Sequence, residues 1–223
     1  MAIEVLGDYA FIRTKIMLNI YVTPHGFPTG SGEEPRLSGV HQALGTTILP
    51  PYSNDLEVLV LGMGCFWGVE RKFWSQKGIF TTAVGYAGGM TENPSYGEVC
   101  SGTTGHSEVV LVVYSPEQCS HESLLSVFWE GHDPTQGMRQ GNDRGSQYRS
   151  AIYCNSDKQL ETAMASVKSY QGSLHLGGLS AITTEIKIEK KFYFAEEYHQ
   201  QYLHRNPNGY CAMQGTGVRY LNV

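Results

Sequence analysis

The sequence has no apolar run approaching the roughly 20 residues needed to cross a bilayer. It has no dense Lys/Arg run and no acceptor triplet for an N-linked glycan, the Asn93 triplet being blocked by Pro94. No two cysteines stand two to four apart, and no histidine pair joins them at ligand spacing, so a structural zinc site is not expected. These absences, with a net charge of −5, argue against nucleic acid or a membrane as a partner. Five cysteines are an odd number and cannot all pair. No secretory signal opens the chain, because Glu4, Asp8, Arg13 and Lys15 interrupt its start. The expected compartment is therefore reducing and cytoplasmic. A mitochondrial location is the alternative, against which the two early acids argue.

What is present suffices for one domain: 223 residues, 41% of them hydrophobic. Residues 1–55 stand apart. A short apolar stretch, Tyr9 to Val22, leads into a Gly- and Pro-rich segment from Pro24 to Pro51 with no sustained periodicity. This reads as an extension or linker, partly mobile. From residue 57 the pattern sharpens. "EVLVLGM" (Glu57–Met63) is a buried strand, and Cys65–Lys77 is a helix stopped by Gly78. Thr81–Tyr86 and the Val-rich His106–Tyr114 are strands separated by a Gly-rich loop. Ser120 caps a helix with Leu124, Leu125, Phe128 and Trp129 on its apolar face. A long polar loop, His132–Arg149, precedes a strand at Ser150–Cys154. Ser156 and Gln159 then open a helix to about Tyr170. A strand at Thr183–Glu189 and a short helix at Ala195–His204 complete the reading.

The β-α-β-β-α-β order predicts an α+β protein: a two-layer sandwich with a split βαβ, ferredoxin-like core and a mixed sheet, with long loops and a Gly-rich C-terminal tail. The expected division is an extension at 1–55, a catalytic domain at 56–205 and a tail at 206–223.

The sharpest local feature is "GMGCFWG", Gly62–Gly68, between a strand and a helix. Cys65 falls where unpaired N–H groups favour negative charge, so its thiol pKa is expected to be lowered. Phe66 and Trp67 are ordinary core aromatics or, beside an open thiol, the walls of an apolar pocket. The same seven residues fit a loose dinucleotide fingerprint. Bulky Phe66 and Trp67 would fill the pyrophosphate's space, and no acid follows at the required distance. Glu108 heads an apolar strand; it is a surface acid unless it faces the aromatics, where desolvation would make it a proton donor. Tyr96, Asp143 and Tyr148 lie in polar loops and, if buried together, could hold a substrate oxygen. Cys211, in "NPNGYCAMQGTG", is either an inert tail thiol or a resolving cysteine. Cys100, Cys119 and Cys154 read as structural.

Taken together, "GCFWGVERKFW", "VGYAGGMTENPSYGEVCSGTTGHSEVV", "VFWEGHDPTQGMRQGNDRGSQYRSAIY", "FYFAEEYHQQYL" and "NPNGYC" resemble the peptide methionine sulfoxide reductases of the A type, over about Glu57 to Gly217. The resemblance implies reduction of the S epimer of methionine sulfoxide, free or in proteins. It implies Cys65 as nucleophile, Glu108 as proton donor, Phe66 and Trp67 around the sulfoxide methyl, and Tyr96, Asp143 and Tyr148 around its oxygen. It further implies Cys211 as recycling cysteine, thioredoxin as reductant, and neither cofactor nor metal. One departure stands out. Many members carry a second recycling cysteine in a tail reading "GTGVSC"; here the tail reads "GTGVRY", with Tyr220 at that place. A cysteine hydrolase pairing Cys65 with a histidine, and a redox sensor without turnover, are the rival readings.

Overall fold

Alternation along the strands decides which way each side chain faces. In β1 (Glu57–Met63), Leu59, Leu61 and Met63 turn to one side and Val58 and Val60 to the other. In β3 (Ser107–Tyr114), Val110, Val112 and Tyr114 share the first side, and Val109, Leu111 and Val113 the second. With β2 (Ile79–Ala87), β6 (Ser150–Cys154), β7 (Glu185–Ile188) and β8 (Phe192–Phe194) they form one six-stranded sheet, ordered β7-β6-β1-β3-β2-β8. Every neighbouring pair is antiparallel except β6 and β7. The computed structural model that shows this describes residue 30, residues 34–211 and residues 213–221; the expectations for residues 1–29 and 31–33 lie outside these.

The first face of the sheet carries the helices. Phe66, Val69 and Phe73 of α1 (Phe66–Trp74) pack on it. So do Leu124, Leu125, Phe128 and Trp129 of α3 (His121–Gly131) and Ala163, Tyr170 and Leu174 of α4 (Asp157–Leu176). Each is fully or almost fully buried, and each such large apolar side chain contributes about 1.5–3 kcal/mol. The opposite face is covered by a smaller cluster in which Tyr52, Leu56, Phe80 and Phe192 pack on Val60, Leu111 and Val113. The architecture is mixed α+β with a mixed sheet, as the patterning implies.

The edge beyond β6 is tied by charge. Arg149 is buried, donating to Glu185 Oε2 at 2.7 Å, to the Tyr153 hydroxyl at 2.9 Å and to the carbonyls of Gly105 and Ser146. Lys187 Nζ stands 2.9 Å from the other oxygen of Glu185.

Several local features differ from expectation. The Ala87–Gly105 loop contains a short helix, α2 (Tyr96–Cys100), fixed by a reciprocal capping box between Ser95 and Glu98. The His132–Arg149 loop contains a small hairpin, β4 (Arg139–Gln140) with β5 (Asp143–Arg144), and a 3-10 turn at Ser146–Tyr148. Of the expected helix at 195–204 only α5 (Tyr202–Arg205) is regular.

The segment before β1 also departs from the reading as a partly mobile linker, at least over residues 34–55. Val40 bridges Thr47, and His41 and Ile48 are completely buried. The tail is likewise packed. Tyr170 of α4 donates its hydroxyl to the Val218 carbonyl at 3.1 Å, and the Tyr220 N–H donates to Glu130 of α3 at 2.8 Å. These hydrogen bonds tie the tail to α3 and α4 despite its glycines.

The α3–α4 contact offers a direct check. The buried Trp129 indole N–H donates to Ser166 Oγ at 2.9 Å. Ser166→Ala leaves that donor unpaired, which costs about 1–3 kcal/mol. Urea unfolding of the variant should show a lower midpoint with an unchanged slope; an unchanged midpoint would mean the indole finds another acceptor.

Candidate active site

The site forms where β1 hands over to α1. Gly64 sits at φ +91°, where a side chain would also strike Gln140, so the turn requires glycine. It places Cys65 at the N-cap of α1, half-buried and with no side-chain cap bond. Residue parity then brings in Glu108. It shares a face with Val110 and Val112, so it lies under the helices, where its Oε2 accepts the Phe66 N–H at 3.1 Å. The carboxyl is 1% exposed. Burial, with the negative Asp143 nearby, pushes its pKa up to about 8, against the pull of the Phe66 N–H. Glu108 therefore holds its proton at neutral pH.

The same surroundings correct the expectation for Cys65. Burial raises its thiol pKa well above the usual value, and Glu108, once it has lost its proton at higher pH, raises it further, as does Asp143. The Trp67 N–H pulls the other way but does not outweigh them. One favourable N–H cannot offset lost hydration beside two carboxyl groups. The resting sulfur is a thiol.

Phe66 is buried, and Trp67 is held from two sides. Tyr202 stacks on the indole at 4.1 Å between centroids, and the indole N–H donates to His199 Nδ1 at 3.1 Å. His199 is neutral: burial lowers its pKa to about 4. Its ring also lies 5.1 Å from Phe66 and 4.5 Å from Tyr96. Glu196 fixes the far side, accepting the Tyr86 hydroxyl and the Tyr96 N–H, both at 2.9 Å. His199, Tyr202 and Glu196 were not singled out from the sequence. The signal available was the i, i+3 spacing of His199 and Tyr202 in "FYFAEEYHQQYL".

Tyr96 from α2, Asp143 from β5 and Tyr148 from the 3-10 turn come to this place from three segments. Burial first, and then the Glu108 charge among others, raises the pKa of both tyrosines, so each remains a hydroxyl. Asp143 accepts the Tyr210 hydroxyl at 2.9 Å through one oxygen; its other oxygen is buried without a partner. Cys100 is exposed rather than internal, and its sulfur interacts with the Tyr96 hydroxyl.

Cys211 is exposed. Gly68, one turn along α1 from Cys65, lets it approach: a side chain at 68 would meet the Cys211 sulfur at 2.9 Å and Met213 at 2.6 Å. A cleft of about 450 Å³ opens beside it, between Cys211 and Met213 on one side and Gln140 and Asn142 on the other. Of the buried histidines, His132 is committed to Ser150 and the Phe128 carbonyl and His106 to the Thr91 carbonyl, while His199, the one beside Phe66, spends its Nδ1 on the Trp67 indole. Among the described residues no cluster of His, Cys, Asp and Glu is arranged to hold a metal, and no helix is long and apolar enough to cross a membrane.

With this geometry in view, the comparisons are specific. Residues 57–220 match the model of the family described as peptide methionine sulfoxide reductase. The peptide methionine sulfoxide reductase MsrA of Pseudomonas savastanoi pv. phaseolicola is 55% identical over 93% of this chain and 97% of its own. Among solved structures, methionine sulfoxide reductase A of Corynebacterium diphtheriae superposes with a TM-score of 0.76 at 43% identity, covering 88% of this chain and 96% of that one. Mxr1 of Saccharomyces cerevisiae, solved in complex with Trx2, shares the fold at 23% identity with a TM-score of 0.51, over 79% of this chain and 99% of that one.

The elevated Glu108 pKa has a consequence for stability. The folded protein binds this proton more tightly than the unfolded chain, so the contribution is complete below the ordinary value of 4.5 and is lost as pH rises through about 8. Glu108→Gln removes that loss. Its melting temperature, relative to wild type, should rise between pH 5 and pH 9; Glu70, pushed up to about 7 by burial, titrates in both proteins and cancels. A constant difference across that range would mean Glu108 is not protonated in the fold.

Proposed function

This chain belongs to the peptide methionine sulfoxide reductase family, a family of oxidoreductases, and we propose that it reduces the S epimer of methionine sulfoxide, free or in proteins, with Cys65 as nucleophile and Glu108 as proton donor. The observation that carries this reading is the Glu108 carboxyl, buried, hydrogen-bonded to the N–H of the residue next to Cys65 and pushed up by that burial to a pKa of about 8. A neutral acid at that place is what a sulfoxide oxygen needs and what a hydrolase oxyanion does not.

The methyl group packs against Phe66 and Trp67. The hydroxyls of Tyr96 and Tyr148, with Asp143, surround the oxygen. The Cys65 sulfur attacks the sulfoxide sulfur while Glu108 protonates the oxygen. Methionine leaves as the thioether, and the oxygen ends on Cys65 as a sulfenic acid. Two protons begin on Cys65 and Glu108 and finish on the sulfenic acid and Glu108, so the site returns to neutrality. Cys65 is oxidised by two electrons and methionine is reduced by two. Cys211 then attacks the Cys65 sulfur, forming a disulfide and releasing water. Thioredoxin, by thiol exchange, returns both to thiols. The exposure of Cys211 and its approach over Gly68 support this route, and the Saccharomyces protein solved with Trx2 supports the choice of reductant. In this reading residues 56–205 form the catalytic domain and 206–223 the tail that carries the resolving thiol.

Cys65→Ser should show no turnover of a methionine sulfoxide peptide with thioredoxin and its reductase, because a serine hydroxyl does not attack sulfur. Activity above a few per cent of wild type would remove Cys65 from its role. Cys211→Ser should release one methionine per enzyme and then stall with thioredoxin, while dithiothreitol restores some cycling. Mass spectrometry of wild type after oxidation by substrate should show a Cys65–Cys211 linkage. Normal cycling of Cys211→Ser would transfer the resolving role to Cys100, Cys119 or Cys154.

A further inference from the structure

The residues that precede the matched family region are attached to the wall of the site. Residues 38–48 form a tight turn: Val40 bridges Thr47, the His41 N–H donates to the Thr46 carbonyl, and the Ile48 N–H to the Gly39 carbonyl. His41 is completely buried at its centre, edge-on to Trp74 of α1. Its Nδ1 accepts the N–H groups of Ala43 and Leu44, so the ring proton is on Nε2, which donates to Thr82 Oγ1 at 2.9 Å. The Thr82 hydroxyl in turn donates to Glu70 Oε1 at 3.1 Å. Glu70, on α1 one turn from Trp67, is wholly buried.

The same carboxyl receives two bonds from Gln201, whose backbone N–H reaches Oε2 at 2.9 Å and whose side-chain amide reaches Oε1 at 2.8 Å. Gln201 lies at φ +47°, a left-handed conformation that a non-glycine residue adopts only when its surroundings hold it. It sits between His199 and Tyr202, the two residues that grip the Trp67 indole. The turn also touches this segment directly: the Gln42 N–H donates to Gln201 Oε1 at 3.4 Å, and the Ser38 N–H to Glu197 Oε2 at 3.0 Å.

We propose that the turn at 38–48 is a positioning element of the active site, in which His41, acting through Thr82 and Glu70, and Gln42, acting through Gln201, hold residues 197–202 so that His199 and Tyr202 clamp Trp67. The inference rests on the reading that Trp67 lines the methyl pocket. It assigns the turn a task beyond stability: without it the left-handed turn at Gln201 relaxes, and Trp67 loses its acceptor and its stacking partner.

The test compares wild type with His41→Phe, which keeps a ring but removes the donor, and with His41→Gln, whose amide N–H can replace Nε2–H. Amide hydrogen exchange read by mass spectrometry should rise about ten-fold or more in peptides covering residues 199–205 of His41→Phe, with β1 and β3 unchanged. KM for methionine sulfoxide, with dithiothreitol as reductant, should rise several-fold while kcat stays within about two-fold. His41→Gln should recover part of both effects. If His41→Phe does not melt cooperatively, Thr82→Val carries the same expectation, since it keeps the packing and breaks the relay. Unchanged exchange at 199–205 in a folded variant, or a rise spread evenly over the sheet, overturns the proposal. A wild type that turned over no sulfoxide would refute the function, yet the exchange result would still decide whether the turn holds the wall.

Discussion

The contact on which this structure turns is a single hydrogen bond, from the Phe66 N–H to the Glu108 carboxyl. It joins the beginning of α1 to the beginning of β3 inside the layer between helices and sheet. A carboxyl there has little water and one good donor, and it faces the charge of Asp143, so it keeps its proton to an unusually high pH. The neighbouring thiol is held neutral chiefly by loss of water. The fold therefore stores two protons side by side at the place where a polar oxygen has to be removed. In the function proposed here, the Glu108 proton is the one that the departing oxygen takes up, while the electrons come from the thiols.

Much of the fold was legible because the short apolar run of β1 and the Val-rich run of β3 read as strands and because Ser120 and Ser156 mark helix starts that the structure reproduces. Strand β8 was not legible. Three residues, "FYF", carry too little pattern, and their pairing with β2 depends on the close approach that Gly85 allows. Helix α2 was missed because its five residues are fixed by a capping box rather than by an apolar stripe. For the site, Cys65 could be read from local logic, a glycine-framed turn at a helix start; Glu108 read locally as a surface acid at a strand head unless it faced the aromatics, and the family resemblance gave it its role. The lowered thiol pKa expected from the helix start alone was wrong, because sequence shows which N–H groups are near a sulfur but not how deeply the sulfur is buried or which carboxyl groups it faces.

The aromatic wall shows the same limit at longer range. Trp67 and Tyr202 lie more than a hundred residues apart, and nothing in either neighbourhood states that they stack. Their meeting depends on Glu70, an acid in the middle of a helix that the sequence reading did not single out. The structure buries it and surrounds it with donors from Thr82 and Gln201. His41 was hidden for a related reason: it lies in a segment without periodicity, where only the three-dimensional contact with Thr82 distinguishes it from linker.

The charge ties at the open edge of the sheet bear on how the protein behaves in a crowded solution. An edge strand offers unpaired N–H and C=O groups to any other extended chain. Along β7 that offer is guarded by Glu185 and Lys187, which are partly exposed and already engaged with Arg149 and with each other. A second chain laid against β7 has to desolvate both charges and disturb the Arg149 contacts that reach into β6. If the protein acts on oxidised proteins, as proposed, it meets other chains at close range, and this edge disfavours growth of the sheet by adding their strands.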